Sequence, residues 1–579
     1  MIEENKYSPS ENHLTQKLIW AFVAIVGIYG LYQTISLAWV CDDAFISFRY
    51  AKNLINGNGL VFNVGEVVEG YTNFLWTILI AGAMFIGLEP ILFTQAVSFI
   101  SYVIVFLLLI YISIKISNQS KSKTIVLPVA ALAIIVQYDS QVWATSGLET
   151  YWVTALVTSA FAILIFAESK KTFLMAGVVL TLAVLTRPDA MIFYMMAIPY
   201  IFLQNKKPIP NLIYYLIPLV IIYIPYWIIR YSYYGYPFPN TYYAKSADLS
   251  WYSQGFIYFW TYIKTYYSLI LLLPAVAFIA IRLLDRLKTK KSISGTKFRL
   301  WLLSILFIVP YIFYVIRIGG DFMFARFFIP ITPICFILLE SVLSSLNIKP
   351  VMKFGIGIII VLSVLFRWAQ FSPENHIISG IIDERTYYPA EKIEQAKIDG
   401  ARVKKYLDGL DAIIGFYGAK AMLVYYAEAP MAIECHAGLT DEFVAHQPLK
   451  YRGRIGHEKG APESYMLKRK INFIAIETAP VTPDVVGIIS FDGTTMPIKY
   501  YENRLMNKLK NIPGVEFVDF QLYLDDYISN MEKYSTDRIK EDFDQFQYYY
   551  FDINNDTLRY NIIANAVNNR MNPKSENSN

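Results

Sequence analysis

Long apolar segments separated by short polar loops dominate the first 370 residues of the chain. Such segments are typical of membrane-spanning helices, because a hydrocarbon core of about 30 Å takes about 20 apolar residues. The pattern predicts a polytopic α-helical membrane protein with about 11 transmembrane helices, near residues 18–40, 91–114, 124–137, 150–167, 172–186, 189–203, 210–229, 265–284, 300–316, 327–345 and 354–370. The first segment is longer than the apolar part of a signal peptide, so we expect it to remain as an anchor.

The loops between these segments predict how the chain crosses the membrane. Short loops rich in Lys and Arg stay in the cytoplasm, and such loops lie at 115–123, 170–171, 206–207, 282–299 and 349–353. Alternation between the two sides then requires the apolar segment 72–88 to lie along the outer surface as an interfacial helix. The N-terminus is therefore expected in the cytoplasm, and the chain after residue 370 is expected outside it.

The chain changes character after residue 370. Residues 371–579 alternate short apolar runs with helical stretches, which predicts an extracytoplasmic α/β domain. We therefore divide the chain into a transmembrane catalytic domain, 1–370, with a first outer loop at 41–90, and an external domain, 371–579. The formal net charge of +5 is the balance of +11 in the first part and −6 in the second.

Composition excludes several classes of protein. Charged residues make up only 17% of the chain and hydrophobic residues 55%, so a soluble globule is excluded. The basic residues lie between apolar runs, which disfavours any nucleic-acid partner. The three cysteines have no CxxC spacing, so neither a zinc ribbon nor a disulfide scaffold is indicated.

A set of ionisable residues on the predicted outer face is not explained by the rule that places basic loops in the cytoplasm. Ionisable groups at membrane depth are costly and indicate function, so we expect them to line one polar cleft that faces the outside. The cations are Arg49, Lys52, Arg187, Arg230, Lys245, Lys264, Arg317, Arg326 and Arg367, and the acids are Asp42, Asp43, Glu66, Glu69, Glu149, Asp189 and Asp321.

Two acidic motifs leave alternatives open. Asp42 and Asp43 follow the first span directly and can act as a general base or bind a metal ion, but the N-terminus of a helix also favours such residues. Arg187 and Asp189 can contribute to the cleft or can simply pair with each other.

The later motifs point to phosphate and carbohydrate. Arg317 and Arg326 flank a Gly-Gly-Asp turn, and arginine binds phosphate through its planar fork. An interfacial aromatic belt explains the tyrosines between 230 and 245, but it does not explain Lys245. His457 is either a ligand of the acceptor or the phosphate, or a structural histidine at a turn.

No nucleotide-binding loop of the form GxxxxGK(S/T) or GxGxxG occurs in the chain. An extracytoplasmic site is also separated from cytoplasmic nucleotides. A donor that reaches the cleft is therefore expected to come through the lipid phase.

These motifs, taken in order, resemble a known family. Over roughly residues 18–470 the chain resembles the terminal arabinofuranosyltransferases of mycobacterial-type cell walls and their wider bacterial relatives, within the GT-C glycosyltransferases. The matching motifs are Asp42-Asp43-Ala44-Phe45-Ile46, Glu69-Gly70-Tyr71-Thr72, Ser146-Gly147-Leu148-Glu149-Thr150, Arg187-Pro188-Asp189, Pro239-Asn240-Thr241, Gly319-Gly320-Asp321, Gly438-Leu439-Thr440-Asp441 and Arg454-Ile455-Gly456-His457-Glu458.

The resemblance implies a multi-pass glycosyltransferase of the bacterial inner membrane. It implies transfer of arabinofuranose or another glycosyl unit from a polyprenyl-phosphate donor to a cell-envelope glycan, lipid or protein acceptor, with inversion. Asp42 or Asp43 would be the catalytic base, and a divalent cation, Mg²⁺ or Mn²⁺, at this pair is compatible with some relatives. The implied substrate-binding residues are Arg49, Glu69, Tyr71, Glu149, Arg187, Asp189, Asn240, Lys245, Arg317, Asp321, Arg326 and His457.

Two other classes of function stay open at this level. A lipid-linked-sugar flippase or transporter would need a path through the bilayer, whereas the charges here are expected on one side. A non-catalytic glycan-binding membrane protein would need no base.

Overall fold

The computed structural model describes residues 9–118, 127–204, 208–288, 295–367, 371, 377–476 and 487–571. Several cations of the predicted cytoplasmic loops lie outside these ranges, namely Lys121, Lys123, Lys206, Lys207, Lys290 and Lys291.

Helices build the N-terminal part of the protein. They are α1 (Pro9–Ser36), α2 (Asp42–Ile55), α3 (Phe74–Phe85), α4 (Pro90–Asn118), α5 (Val129–Val136), α6 (Tyr138–Trp143), α7 (Thr150–Ile165), α8 (Lys170–Thr186), α9 (Met191–Gln204), α10 (Pro208–Pro218), α11 (Ile224–Tyr234), α12 (Asn240–Ala244), α13 (Tyr252–Thr265), α14 (Leu272–Lys288), α15 (Thr296–Arg317), α16 (Thr332–Ser345) and α17 (Pro350–Leu365).

The lengths of these helices confirm a multi-pass membrane protein. Within the described residues, five helical segments are long and apolar enough to cross a membrane: Leu14–Ser36, Pro90–Ser117, Pro208–Tyr234, Tyr267–Asp285 and Thr296–Arg317. Other predicted spans contain shorter helices, such as α5 with 8 residues and α9 with 14. The total of about 11 spans therefore stays a prediction.

Helix α3 lies in the segment expected at the membrane surface. It has 12 residues, which is about 18 Å of helix and too short for a hydrocarbon core of about 30 Å. It packs closely against α2, and Trp76 and Ile80 are buried. Its length agrees with the predicted interfacial helix.

The external domain combines small sheets with helices, as predicted. Strands β1 (Ile377–Ile378) and β2 (Ile381–Ile382) form a hairpin. Strand β3 (Ile413–Phe416) lies between parallel neighbours β4 (Met431–Glu434) and β5 (Phe473–Ala475), and β6 (Ile488–Phe491) lies between antiparallel neighbours β7 (Thr494–Pro497) and β8 (Val515–Glu516). The helices are α18 (Glu384–Tyr387), α19 (Ala390–Leu407), α20 (Ala421–Ala427), α21 (Glu442–Ala445), α22 (Glu463–Lys468), α23 (Asn503–Leu509), α24 (Phe520–Asn530), α25 (Thr536–Phe546) and α26 (Thr557–Met571).

The external domain is hydrogen-bonded directly to the outer loops of the membrane part. Arg49 donates to the carbonyls of Phe62 and Ala429, at 2.8 and 2.7 Å. Asn63 exchanges two hydrogen bonds with the backbone of Ala432 on β4. Because the contacts with Ala429 and Ala432 join residues more than 360 positions apart, the outer loop and the external domain share one polar interface.

Candidate active site

The acidic pair occupies the first turn of α2. Cys41 is the N-cap, and the helix begins at Asp42. Carboxylates are stabilised at this end of a helix by the partial positive charge of its free N–H groups. The alternative that Asp42 or Asp43 is the N-cap is wrong, because Cys41 holds that position and no side chain caps the helix. The contacts of each side chain decide what the pair does.

Asp42 is used by the interface with the external domain. Its two carboxylate oxygens accept hydrogen bonds from the backbone N–H groups of Met422 and Ala421, at 2.9 and 3.2 Å, at the start of α20. Asp42 is only 4% exposed. Burial raises the pKa of Asp42 to about 7, although these backbone donors oppose the shift.

Asp43 has a different environment. No described residue donates a hydrogen bond to its carboxylate, which is only half-buried. Burial, and to a smaller extent the charge of Asp321, raises the pKa of Asp43. The charges of Arg326, Lys245 and Arg454 act in the opposite direction. Three cations from separate parts of the chain therefore act electrostatically on a carboxylate that accepts no hydrogen bond from the described residues.

Arg326 is the most buried of these cations. Its guanidinium lies 3.3 Å from Glu149 Oε1 and 3.7 Å from Asp321 Oδ2. The Nε atom of Arg326 and the Oδ2 atom of Asp321 are both buried. Neither atom forms a hydrogen bond with a described residue. Unsatisfied buried polar atoms are costly, so this cluster retains unused capacity to bind a polar ligand.

A buried polar chain holds Glu149 in place. Asn73 donates to Glu149 Oε2 at 3.0 Å and to the hydroxyl of Ser47 at 3.1 Å. Burial disfavours the charge of Glu149, but Arg326 and Arg187 outweigh it and hold its pKa below the usual value. Because Ser47 lies one helical turn after Asp43, this chain connects α2 to Arg326.

Arg187 and Asp189 pair with each other, the simpler of the two alternatives. The guanidinium of Arg187 donates to both carboxylate oxygens of Asp189, at 3.1 and 2.6 Å. Tyr311 also donates to Asp189 at 2.8 Å. The Nη1 atom of Arg187 is buried and has no partner among the described residues, so one donor group stays unused.

Four other predicted ligands, Arg49, Glu69, Tyr71 and Asn240, are engaged in the outer-loop interface. Arg230 forms a two-bond ion pair with Glu69, at 3.0 and 2.5 Å. Tyr71 hydrogen-bonds Tyr234 at 3.1 Å. Asn240 donates to the carbonyls of Gly438, Leu439 and Asp441, and Arg49 binds the carbonyls described above. The polar groups of these four residues therefore already have partners within the protein.

Removal of the Glu69 carboxylate is expected to destabilise this interface. Glu69→Ala leaves the Arg230 guanidinium buried without a counter-ion, which typically costs about 3–5 kcal/mol. The double variant Glu69→Ala/Arg230→Ala is expected to lose less stability than the sum of the single variants. Thermal unfolding of the purified protein in detergent measures both effects, and an unchanged melting temperature for Glu69→Ala would contradict the prediction.

Lys245 lies against the loop that carries His457. The stem of Lys245 passes over Gly456, where an added Cβ would lie 3.4 Å from Lys245 Cε. His457 Nδ1 is 3.1 Å from the carbonyl of Ile455. Burial, followed by the charge of Arg454, lowers the pKa of His457 to about 3. His457 is therefore a neutral imidazole whose Nε2 is the acceptor, if Nδ1 donates to that carbonyl.

Arg317 differs from the other predicted phosphate ligands. Its guanidinium donates to the carbonyl of Asp248 at 3.5 Å in an exposed contact. We therefore expect Arg317 to lie at the edge of the cluster.

Two residues of the cluster were not predicted as ligands. Arg454 lies with its guanidinium 4.4 Å from the centre of the Phe322 ring, and its buried Nε has no described partner. Glu384 is buried at the start of α18. Arg454 belongs to a motif that carried the family resemblance, which was the available signal, whereas nothing in the sequence around Glu384 marks it.

A divalent cation at the acidic pair stays a prediction. Each oxygen of Asp42 already accepts one backbone N–H group, which leaves it one further lone pair. Among the residues that the structure describes, no group of three or more His, Cys, Asp and Glu side chains is placed to hold a metal ion, whereas Mg²⁺ and Ca²⁺ take six or more oxygen ligands.

Comparison with known proteins confirms the resemblance seen in the motifs. No family model matches the chain. The chain is 29% identical over 254 residues, 42% of its length, to a terminal beta-(1->2)-arabinofuranosyltransferase of Mycobacterium tuberculosis. It is 28% identical over 356 residues, 53% of its length, to the enzyme of the same name from Corynebacterium glutamicum. It spans 40% and 49% of the lengths of these relatives.

Two solved structures are also similar. ArnT from Cupriavidus metallidurans bound to undecaprenyl phosphate covers 72% of this chain and 85% of its own, with 10% identity and a TM-score of 0.44. An oligosaccharyltransferase from Archaeoglobus fulgidus covers 71% of this chain and 63% of its own, with 9% identity and a TM-score of 0.42.

Proposed function

We propose that this protein is a membrane glycosyltransferase. It transfers arabinofuranose or another glycosyl unit from a polyprenyl-phosphate donor to a glycan, lipid or protein acceptor of the cell envelope. The names of the two curated relatives support this class of reaction. The proposed setting is the bacterial inner membrane, with the N-terminus in the cytoplasm and both the site and the external domain on the opposite side.

The observation that carries the proposal is the free carboxylate of Asp43 among Arg326, Lys245 and Arg454. A base must be ionised and free to accept a proton, and a phosphate leaving group requires positive charge. One carboxylate with three surrounding cations provides both.

The reaction follows from this arrangement. Asp43 takes the proton of an acceptor hydroxyl as its oxygen attacks the anomeric carbon. The bond between that carbon and the phosphate oxygen breaks, and the negative charge that develops on polyprenyl phosphate is stabilised by the three cations. A single displacement of this kind inverts the anomeric configuration. Arg187 and Asp321 line the same cluster, and Glu149 and Asp189 hold its arginines.

A transfer assay with the purified protein in liposomes tests the proposal. We expect a labelled sugar to pass from polyprenyl-phosphate arabinofuranose, or from another sugar in a panel of such donors, to an arabinan or envelope acceptor, with equimolar release of polyprenyl phosphate. Movement of intact donor between leaflets without transfer would favour a flippase. Retention of a glycan without transfer would favour a binding protein.

A further inference from the structure

A short segment of the external domain is inserted between the two parts of the chain that carry the proposed site. We call residues 381–388 the junction segment. On one side, the backbone of Ile382 donates to the carbonyl of Phe322 at 2.6 Å and accepts from the N–H of Phe324 at 2.9 Å. These two residues belong to the loop between Asp321 and Arg326, so the junction segment is paired directly with that loop.

The other side of the junction segment contacts the turn before the acidic pair. Arg385 donates to the carbonyl of Leu37 at 2.9 Å. The ring of Tyr388 stacks on that of Trp39, with 6.0 Å between the centroids. Because Leu37 and Trp39 lead into α2, the junction segment also fixes the approach to Asp43.

A buried ion pair anchors the same segment. Arg367 lies 2.5 Å from Asp383 and 3.0 Å from Asp139 at the start of α6. Glu384 is the next residue after Asp383, so its backbone is held from three directions. Glu384 therefore lies in the chain between the residues that contact the loop before Arg326 and those that contact the turn before Asp43.

Glu384 is buried in the junction segment without a counter-ion. Its residue is 5% exposed, and its Oε2 atom has no hydrogen-bond partner within the described residues. Burial, Asp43 and Asp321 raise the pKa of Glu384 to about 8, while Arg454 and Arg326 act against the increase. Since an isolated buried carboxylate is costly, burial favours the neutral form of Glu384.

We propose that Glu384 is a further residue of the active site, supplied by the external domain, which acts on donor binding by remaining uncharged beside Asp43 and the cations. The inference rests on the proposed function. A neutral Glu384 leaves Arg326 and Arg454 available to the phosphate of the donor. An ionised Glu384 adds a negative charge that repels this phosphate and competes for the same cations. Glu384 is thus a positioning residue for the donor, with no proton transfer of its own.

The donor KM as a function of pH tests the role of Glu384. In the wild-type protein, the donor KM is expected to rise by about tenfold as the pH passes through 8 and a like charge appears near the phosphate. Glu384→Gln keeps the shape of the neutral acid but cannot ionise, so its donor KM should stay constant. Glu391→Gln removes a carboxylate from the exposed first turn of α19 and should retain the wild-type rise. An equal rise in Glu384→Gln, or no rise in the wild type, would overturn the proposal.

A spectroscopic measurement tests the placement of Glu384 and does not depend on the proposed reaction. Infrared difference spectra are expected to contain the carbonyl band of one protonated carboxyl group that titrates near pH 8 and is missing in Glu384→Gln. In Asp43→Asn the band should titrate at lower pH, because the Asp43 charge is removed. A band that is absent, or that Asp43→Asn leaves unchanged, would overturn the placement. If no donor in the panel is turned over, the proposed function fails, and this measurement still decides whether Glu384 senses Asp43.

Discussion

Asp43→Asn is expected to reduce the rate of sugar transfer by about a thousandfold, within the range attributed to a general base. The amide retains the shape of the side chain but cannot accept a proton from the acceptor hydroxyl. Because Asp43 accepts no hydrogen bond from the described residues, its replacement should leave the melting temperature nearly unchanged. Turnover by the purified variant, measured as released polyprenyl phosphate, tests the expectation.

Asp42→Asn is the matched control. The amide introduced by this substitution would place its NH2 group against the backbone N–H of either Ala421 or Met422, so the expected loss is stability, about 1–3 kcal/mol, with transfer reduced less than tenfold. The opposite ranking of the two variants would show that Asp42 is the base.

In the wild type, Asp43 must be ionised to act, and its pKa is raised. Transfer should therefore be lost as the pH falls through that pKa, and Asp42→Asn should retain this acidic limb.

Arg326→Lys is expected to lower kcat/KM for the donor by about a hundredfold, as the loss of a transition-state donor does in other enzymes. Lysine keeps the positive charge that Glu149 and Asp321 require, so the protein should fold. It lacks the planar fork that reaches Glu149, Asp321 and a phosphate oxygen together. Steady-state transfer at varied donor concentration measures the loss, and circular dichroism during heating verifies the fold.

Arg317→Lys provides the comparison for Arg326→Lys. Arg317 is expected at the edge of the cluster and donates only a long hydrogen bond to Asp248, so the change in kcat/KM is expected to be below about threefold, since exposed polar contacts contribute little. Equal losses in the two variants would mean that the donor phosphate is bound at the edge of the cluster rather than beside Asp43.

The external domain is part of the proposed site as well as a neighbour of the membrane. It supplies Arg454 and His457 from one loop and Glu384 from the junction segment, and its helix α20 binds Asp42. Separation of the domain from the outer loop would therefore remove charges from the surroundings of Asp43. This dependence explains why so many buried polar groups, including Arg49 and Asn240, are used to hold the interface together.

The sequence singled out the polar motifs, but it did not give the contacts of their individual residues. Asp42 and Asp43 were equivalent as neighbours in the chain, and only the contact of Asp42 with Met422 separates them. Arg230 was expected in the cleft because no loop rule explained it, yet its charge is matched by Glu69. Glu384 had no signal at all, because it is an ordinary residue of a polar segment until the fold buries it.

The sequence by itself determined the membrane class, a C-terminal part that contains sheets and the set of polar segments, because hydropathy and charge are properties of neighbouring residues and act over one or two helical turns. Only the tertiary structure decided which carboxylate is free, which arginines are already paired and which buried acid stands beside them. Those outcomes depend on contacts such as Asp42 with Met422, 380 positions apart, and on the loss of water around each charge. Neither these contacts nor this loss of water exists before the chain has folded.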